Sequence, residues 1–222
     1  MEPGYRDLAT RMGIADNAES LLDLGGGDGR LAIALAKLNP GLRQIVSVDI
    51  SEDMTRRARG RIATAGVAST VSAEREDMHA LSYSDGRFDA VVSFGALHHA
   101  RQPKVVLAEA YRVVRSGGQV CVIDGHGRPS FAAIRQAVRG FGGSFVGAVA
   151  YWCGSKDCLS TEQITSLVPR GCLPGIELSF DGVLAIICGT KKKGIEPGAP
   201  PNDGPTAPVG NSKVTDGPPS MS

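Results

Sequence analysis

A chain of 222 residues, 42% of them hydrophobic, is long enough to bury one good core and lies in the size range of a single domain. Lysine and arginine total 24 against 23 aspartate and glutamate, so no global field steers the chain onto nucleic acid or an anionic membrane. No apolar run approaches the roughly 18 residues of a spanning helix, and the opening MEPGYRDLATRMG lacks a signal peptide's apolar centre, so a cytoplasmic location is expected.

Along the chain, short β-rich runs alternate with longer helical ones, the pattern of a layered α/β sheet. SLLDL (20–24) reads as a strand buried on both faces, and RLAIALAKL (30–38) as a helix stopped by Asn39, Pro40 and Gly41. QIVSVDI (44–50) is the second strand. Ser51, Glu52 and Asp53 cap and acidify the start of a helix that ends near Gly66. STVSAER (69–75) is a third strand and FDAVVSF (88–94) a fourth. Pro103 opens a helix that Ser116, Gly117 and Gly118 are expected to stop before a fifth strand, QVCVID (119–124). Near the end, GIELSF and VLAIICG flank Asp181 and Gly182, the pattern of an antiparallel hairpin. The expected fold is a mostly parallel sheet that finishes in a hairpin.

Residues 1–193 are read as one domain. From Gly194 onward the chain holds seven of its thirteen prolines and almost no large apolar residue, so 194–222 is expected to be a disordered tail rich in proline and glycine. The Lys191, Lys192, Lys193 run reads as a solubilising edge. Five cysteines (Cys121, Cys153, Cys158, Cys172 and Cys188) are odd in number and sparse, and are expected to be reduced thiols rather than a disulfide framework. Neither a zinc site nor thiol capture of a metalloid is imposed by their spacing, so no metal is expected.

The chemistry concentrates in LLDLGGGDGRLA. A glycine-rich turn between a buried strand and a helix lets the main chain approach a ligand at the helix N-terminus. Two ligand classes fit. Gly27, Gly29 and Ala32 satisfy the dinucleotide spacing, with Asp49 about 20 residues on as a ribose acceptor. The frame Asp23, Gly25, Gly27, Gly29 instead sets a strand-ending acid ahead of the glycines, where a cationic ligand group would be held. Asp49 and Asp77 add carboxylates at two further strand ends, on the same expected sheet edge.

With VSVDIS, EREDMHALSYSDGRFDAVVSFGALHH and RVVRSGGQVCVID following in order, the chain over about residues 18–190 resembles the class I, Rossmann-like, S-adenosylmethionine-dependent methyltransferases. The resemblance implies a doubly wound, seven-stranded sheet closed by an antiparallel hairpin, with S-adenosyl-L-methionine as cofactor. It implies that Asp23, Gly25, Gly26 and Gly27 take the cofactor's amino acid end and that Asp49 takes the ribose hydroxyls. Asp77 would take the adenine amino group, Ile50 and Met78 would be apolar surfaces against the ring, and Phe94 and Gly95 would lie by the methionine moiety. His98 and His99 are candidate bases where the acceptor comes close, with His126 a third. Tyr5 is placed to close over the cofactor from the N-terminal segment.

The expected activity is methyl transfer to oxygen, carbon or nitrogen of a small molecule. No Asn-Pro-Pro-Tyr or Asp-Pro-Pro-Tyr ends the fourth strand, which disfavours amide or nucleobase nitrogen, and no basic patch with interleaved aromatics points to nucleic acid. Residues 125–159, with the sole tryptophan Trp152, are expected to form a lid or acceptor wall. Fewer than twenty residues precede the first strand, so the pocket is expected to be open, or completed by a protein partner. A non-catalytic cofactor-binding or partner subunit, and a nicotinamide-dependent oxidoreductase, are the alternatives.

Overall fold

The computed structural model describes residues 3–127, 158–168 and 173–194. Seven strands form one sheet: β1 (Ser20–Leu24), β2 (Gln44–Asp49), β3 (Val71–Arg75), β4 (Phe88–Phe94), β5 (Val114–Gly125), β6 (Ile176–Asp181) and β7 (Leu184–Thr190). Their order is β3-β2-β1-β4-β5-β7-β6, parallel through β5, with β7 antiparallel to β5 and β6 antiparallel to β7. The chain moves one way from β1 to β3 and the other way from β4 to β5. The carboxyl ends of β1 and β4 therefore diverge at a switch point, the place where open α/β sheets bind ligands.

The period of two along each strand builds two cores. Leu21, Ile45, Ala90 and Val92 face α1 (Pro3–Met12), α2 (Arg30–Leu38) and α3 (Glu52–Ala65). Leu22, Leu24, Val46, Val48 and Val91 face α4 (Pro103–Val113) and α5 (Thr161–Leu167). Helices thus cover both faces, which explains why β1, β2 and β4 read as unbroken apolar runs.

Helix ends follow local chemistry. The Ser51 hydroxyl accepts from the Met54 amide, and α3 stops at Gly66 with φ +70°. α4 runs straight into β5, and its C-terminal carbonyls are met by Lys191, whose Nζ donates to Tyr111 O at 2.7 Å and Val114 O at 2.9 Å. Lys191 is therefore a helix cap and not part of a solvated edge. Ser116–Gly118 do not precede β5 as expected. They lie within it, as an irregularity that shifts the register between Phe88 and Ala90 of β4.

Two helices were not expected from the sequence. α1 buries Leu8, Ala9 and Met12 against α2, while Gln119 donates to the Met12 and Gly13 carbonyls. α5 carries a capping box, Ser160 with Gln163. The closing hairpin turns at Gly182 and Val183, one residue later than expected, with Asp181 paired to Leu184.

Cys121 and Cys188 are directly opposed on β5 and β7 and form a disulfide. The expectation of reduced thiols is corrected for this pair. An antiparallel register with facing Cβ atoms brings the sulfurs together, which spacing along the chain does not reveal. Cys158 is half-buried, whereas Cys153 and Cys172 lie outside the described residues. So do most of the expected lid, at 128–157, and most of the tail, at 195–222.

Candidate active site

The cleft is built at the carboxyl ends of β1, β2 and β4. Gly25 to Gly29 form the turn from β1 into α2, and the close approach of backbone to neighbours explains its bareness. A Cβ on Gly26 would sit 2.5 Å from Asp23 Oδ2 and overlap the Ser47 hydroxyl, and one on Gly25 would overlap the Ala96 side chain. The Gly26 amide donates to Val48 O at 2.9 Å, which locks the turn to β2.

Asp23 lies directly behind this turn, fully buried and paired in register with Ser47. Its Oδ2 accepts the Ser47 hydroxyl at 2.9 Å, while Oδ1 is buried with no hydrogen-bond partner among the described residues. Burial pushes its pKa up to about 7, the Ser47 hydrogen bond opposes this, and the nearby Asp49 charge adds to it. An orphaned carboxylate oxygen in such a place suits a cationic ligand group.

Asp49, at the tip of β2, accepts the Gly27 amide on Oδ2 at 3.0 Å and the Ser51 amide on Oδ1 at 2.9 Å. Each oxygen keeps a second acceptor site, enough for a pair of ribose hydroxyls. Beside it Ile50 is 59% exposed, an apolar side chain left uncovered at a strand tip. Asp77 follows β3 and accepts both the backbone amide and Nδ1 of His79 on Oδ1, at 2.9 and 2.7 Å. These bonds, the backbone one first, hold its carboxyl below the usual range. Met78 is half-buried against the core on the α4 face.

Asp23, Gly25, Gly26, Gly27 and Phe94 line one cleft of about 110 Å³ together with Tyr5, Asp28, Arg30 and Leu31. Gly95 turns the chain away at φ +66°, its amide on Ile123 O at 2.9 Å. Asp49, Ile50, Asp77 and Met78 are not part of that lining and extend the same sheet edge toward β3.

The histidines separate into different roles. His98 lies in the short 3-10 turn Leu97–His99 and is buried with Asp124, the last acid of β5. Its Nδ1 is 2.9 Å from Asp124 Oδ1, and its backbone amide donates to Oδ2 at 3.1 Å. His99 is exposed, and its ring lies tilted against that of His98 at 46°, with centroids 3.8 Å apart. His126 is committed elsewhere, with Nδ1 on the Thr161 hydroxyl at 3.1 Å and Nε2 on Gly182 O at 3.2 Å. It ties α5 to the hairpin and does not reach the cleft. Asp124 was missed, although VID ends β5 with an acid just as LLD and VDI do for β1 and β2. Among the described residues no group of histidine, cysteine, aspartate or glutamate could hold a metal ion.

Comparisons with known proteins agree with this architecture. Residues 22–122 match the methyltransferase domain family. That match covers a little under half of the chain. Over 105 residues it is 38% identical to the ubiquinone/menaquinone biosynthesis C-methyltransferase of Hydrogenovibrio crunogenus, covering 47% of this chain and 41% of that one. It is 36% identical over 106 residues to the 27-O-demethylrifamycin SV methyltransferase of Amycolatopsis mediterranei, covering 48% and 38%. The chain thus spans about two fifths of the length of these relatives. A solved structure from Methanococcus maripaludis, a candidate S-adenosyl-L-methionine-dependent methyltransferase, superposes with a TM-score of 0.64 at 23% identity over 86% of each chain. That likeness extends the shared fold well beyond the segment that matches the family.

Proposed function

We propose that the chain is an S-adenosyl-L-methionine-dependent methyltransferase acting on a small-molecule acceptor. The observation that carries this reading is the pairing of a side-chain-free turn with the buried, unpartnered Oδ1 of Asp23 immediately behind it. A nicotinamide dinucleotide brings a pyrophosphate to such a turn, and a buried acid there would repel it, whereas an α-ammonium is drawn to it. The turn's backbone and Asp23 hold the amino acid end, Asp49 the ribose, and the free oxygen of Asp77 the adenine amino group. Ile50 and Met78 supply apolar surface to the ring, and Phe94 and Gly95 flank the methionine chain.

Bound S-adenosylmethionine supplies an electrophilic methyl on a good leaving group, so the protein contributes mainly alignment and exclusion of water. Where the acceptor carries a proton, the base we assign is His98, in the turn that follows β4. Asp124 holds Nδ1 of that ring and so fixes its orientation. The two curated relatives are named for a C- and an O-methyl transfer, so both acceptor atoms fit the base rate of this domain, and a small molecule is common to both names.

Thermal shift with S-adenosylmethionine, S-adenosylhomocysteine and NAD tests the cofactor class, because a ligand that binds only the folded state raises the melting temperature. Transfer of labelled methyl into a metabolite extract then tests catalysis. Stabilisation by NAD alone overturns the cofactor assignment. Strong S-adenosylmethionine binding with no labelled product in any extract points to a non-catalytic subunit.

A further inference from the structure

A larger cavity lies outside the cleft, on the face of the sheet that carries α1–α3. It is a groove of about 680 Å³ between α2 and α3, within the size range of small-molecule sites. Helical spacing builds it: Arg30, Ile33 and Lys37 share one face of α2, and Arg57, Gly60, Arg61 and Thr64 share one face of α3. Among the described residues its lining holds four cations and no carboxylate, while Ile33 and Ala65 give apolar wall.

The acids nearby do not balance these charges. Asp28 is divided between Arg30 and Arg61, at 3.0 and 3.1 Å, and Asp53 between Arg57, at 2.8 Å, and Arg56. Lys37 has no carboxylate partner among the described residues. Four lining cations thus face two shared carboxylates, and positive charge is in excess around the groove.

Gly60 is a second, independent sign. It sits in mid-helix, where glycine is less stable than alanine, yet a Cβ there would meet nothing within 4 Å, and its φ is not positive. Neither packing nor backbone conformation calls for glycine at this position. What its bareness does is keep the groove open between the two rows of cations.

We infer that the α2–α3 groove is a binding site for a small amphiphile with a phosphate head and an apolar body. Arginine and lysine suit a phosphate dianion, by bidentate hydrogen bonds and as a point charge respectively. Ile33 and Ala65 suit an alkyl segment that water would reject. Tyr5 and Arg30 line both this groove and the cofactor cleft, so a ligand in the groove extends to the cleft's mouth. The ligand class follows from the lining alone and holds whether or not the cleft takes S-adenosylmethionine.

Calorimetric titration of the full chain with octyl phosphate, below its micelle concentration, is the test. Saturable one-to-one binding is expected. Gly60→Leu, which fills the groove, and the double variant Lys37→Gln, Arg57→Gln should each weaken it by about tenfold or more. Binding of S-adenosylhomocysteine should be unchanged in both variants. Absence of saturable binding, undiminished binding in Gly60→Leu, or equal binding of octanol or of inorganic phosphate overturns the inference. Tighter binding of a short DNA duplex, lost in the double variant, overturns it in favour of a polyanion surface. If S-adenosylhomocysteine fails to bind while octyl phosphate binds as described, the proposed methyltransferase activity fails and the groove assignment stands.

Discussion

The carboxylate of Asp49 accepts the backbone amide of Gly27 at 3.0 Å, so the acid assigned to the ribose also holds the glycine turn in place. Asp49→Ala removes this bond and the one to Ser51, and should cost about 1–3 kcal/mol of stability in the absence of ligand, with loss of stabilisation by S-adenosylhomocysteine. Asp49→Asn keeps one acceptor oxygen and should lose less stability while still binding poorly. Melting curves of both variants with and without S-adenosylhomocysteine check this. An Asp49→Ala protein that is stabilised by the ligand as much as wild type removes Asp49 from the site.

Asp23 should make the ligand-free protein less stable as pH rises. Its folded-state pKa is raised to about 7, chiefly by burial, so the folded state prefers the protonated acid. Stability is then highest below the unfolded pKa near 4, falls as the unfolded chain ionises first, and levels off above about 7. A shift of this size corresponds to roughly 4 kcal/mol at most. Urea denaturation from pH 4.5 to 8 should show the decline in wild type and a flatter profile in Asp23→Asn. Binding of a cationic ligand to Asp23 draws off its proton, so proton release at pH 6, measured by calorimetry in buffers of different ionisation heat, should vanish in Asp23→Asn.

The glycines should not respond alike. Gly26→Ala places a methyl group into the Ser47 hydroxyl and Asp23, and should cost several kcal/mol, on the order of 3, with loss of ligand binding. Gly27→Ala meets nothing within 4 Å and is strained only by its φ of +54°, so about 1–2 kcal/mol is expected. Equal melting temperatures for the two variants would contradict the packing described for the turn.

His98 and Asp124 can be separated from a purely structural pair by kinetics. If His98 accepts the acceptor's proton, His98→Ala should lower kcat by about 10²-fold or more, with activity recovering as pH rises. Asp124→Asn should lower kcat and alter the pH profile while leaving S-adenosylhomocysteine binding intact. A His98→Ala enzyme within about threefold of wild type, against the much larger factor expected of a general base, assigns the pair to anchoring the turn after β4.

The bridge between Cys121 and Cys188 closes a loop of 67 residues, for which chain entropy gives about 4 kcal/mol. Denatured, unreduced protein should therefore expose at least two fewer thiols to titration than reduced protein, and reduction should lower the melting point. Full thiol reactivity before reduction would show that the pair is not bonded.

Much of this was legible in the sequence. The apolar runs of β1, β2 and β4, the Ser51 cap and the glycine turn have local causes, and local causes leave local signals. Asp23, Gly25–Gly27 and Phe94 were read from one motif and one strand end, and they line one cleft. What escaped depends on neighbours distant in sequence. α1 is held by residues such as Gln119, the disulfide by the register of β5 on β7, and Lys191 by the end of α4. The role of Asp49 toward Gly27 is of the same kind, since no pattern in VSVDIS says which amide its carboxylate meets.

The placement of β7 between β5 and β6 has a consequence for biogenesis. While the chain emerges from the ribosome, β5 has β4 on one side and nothing on the other until Leu184–Thr190 has been made. During that interval Val120, Val122 and Ile123 belong to an open edge, the kind of surface that recruits foreign strands or chaperones. Truncations that stop short of β7 would prolong that exposure indefinitely, so insolubility of such fragments would reflect a missing neighbour strand and not a defect in the cleft.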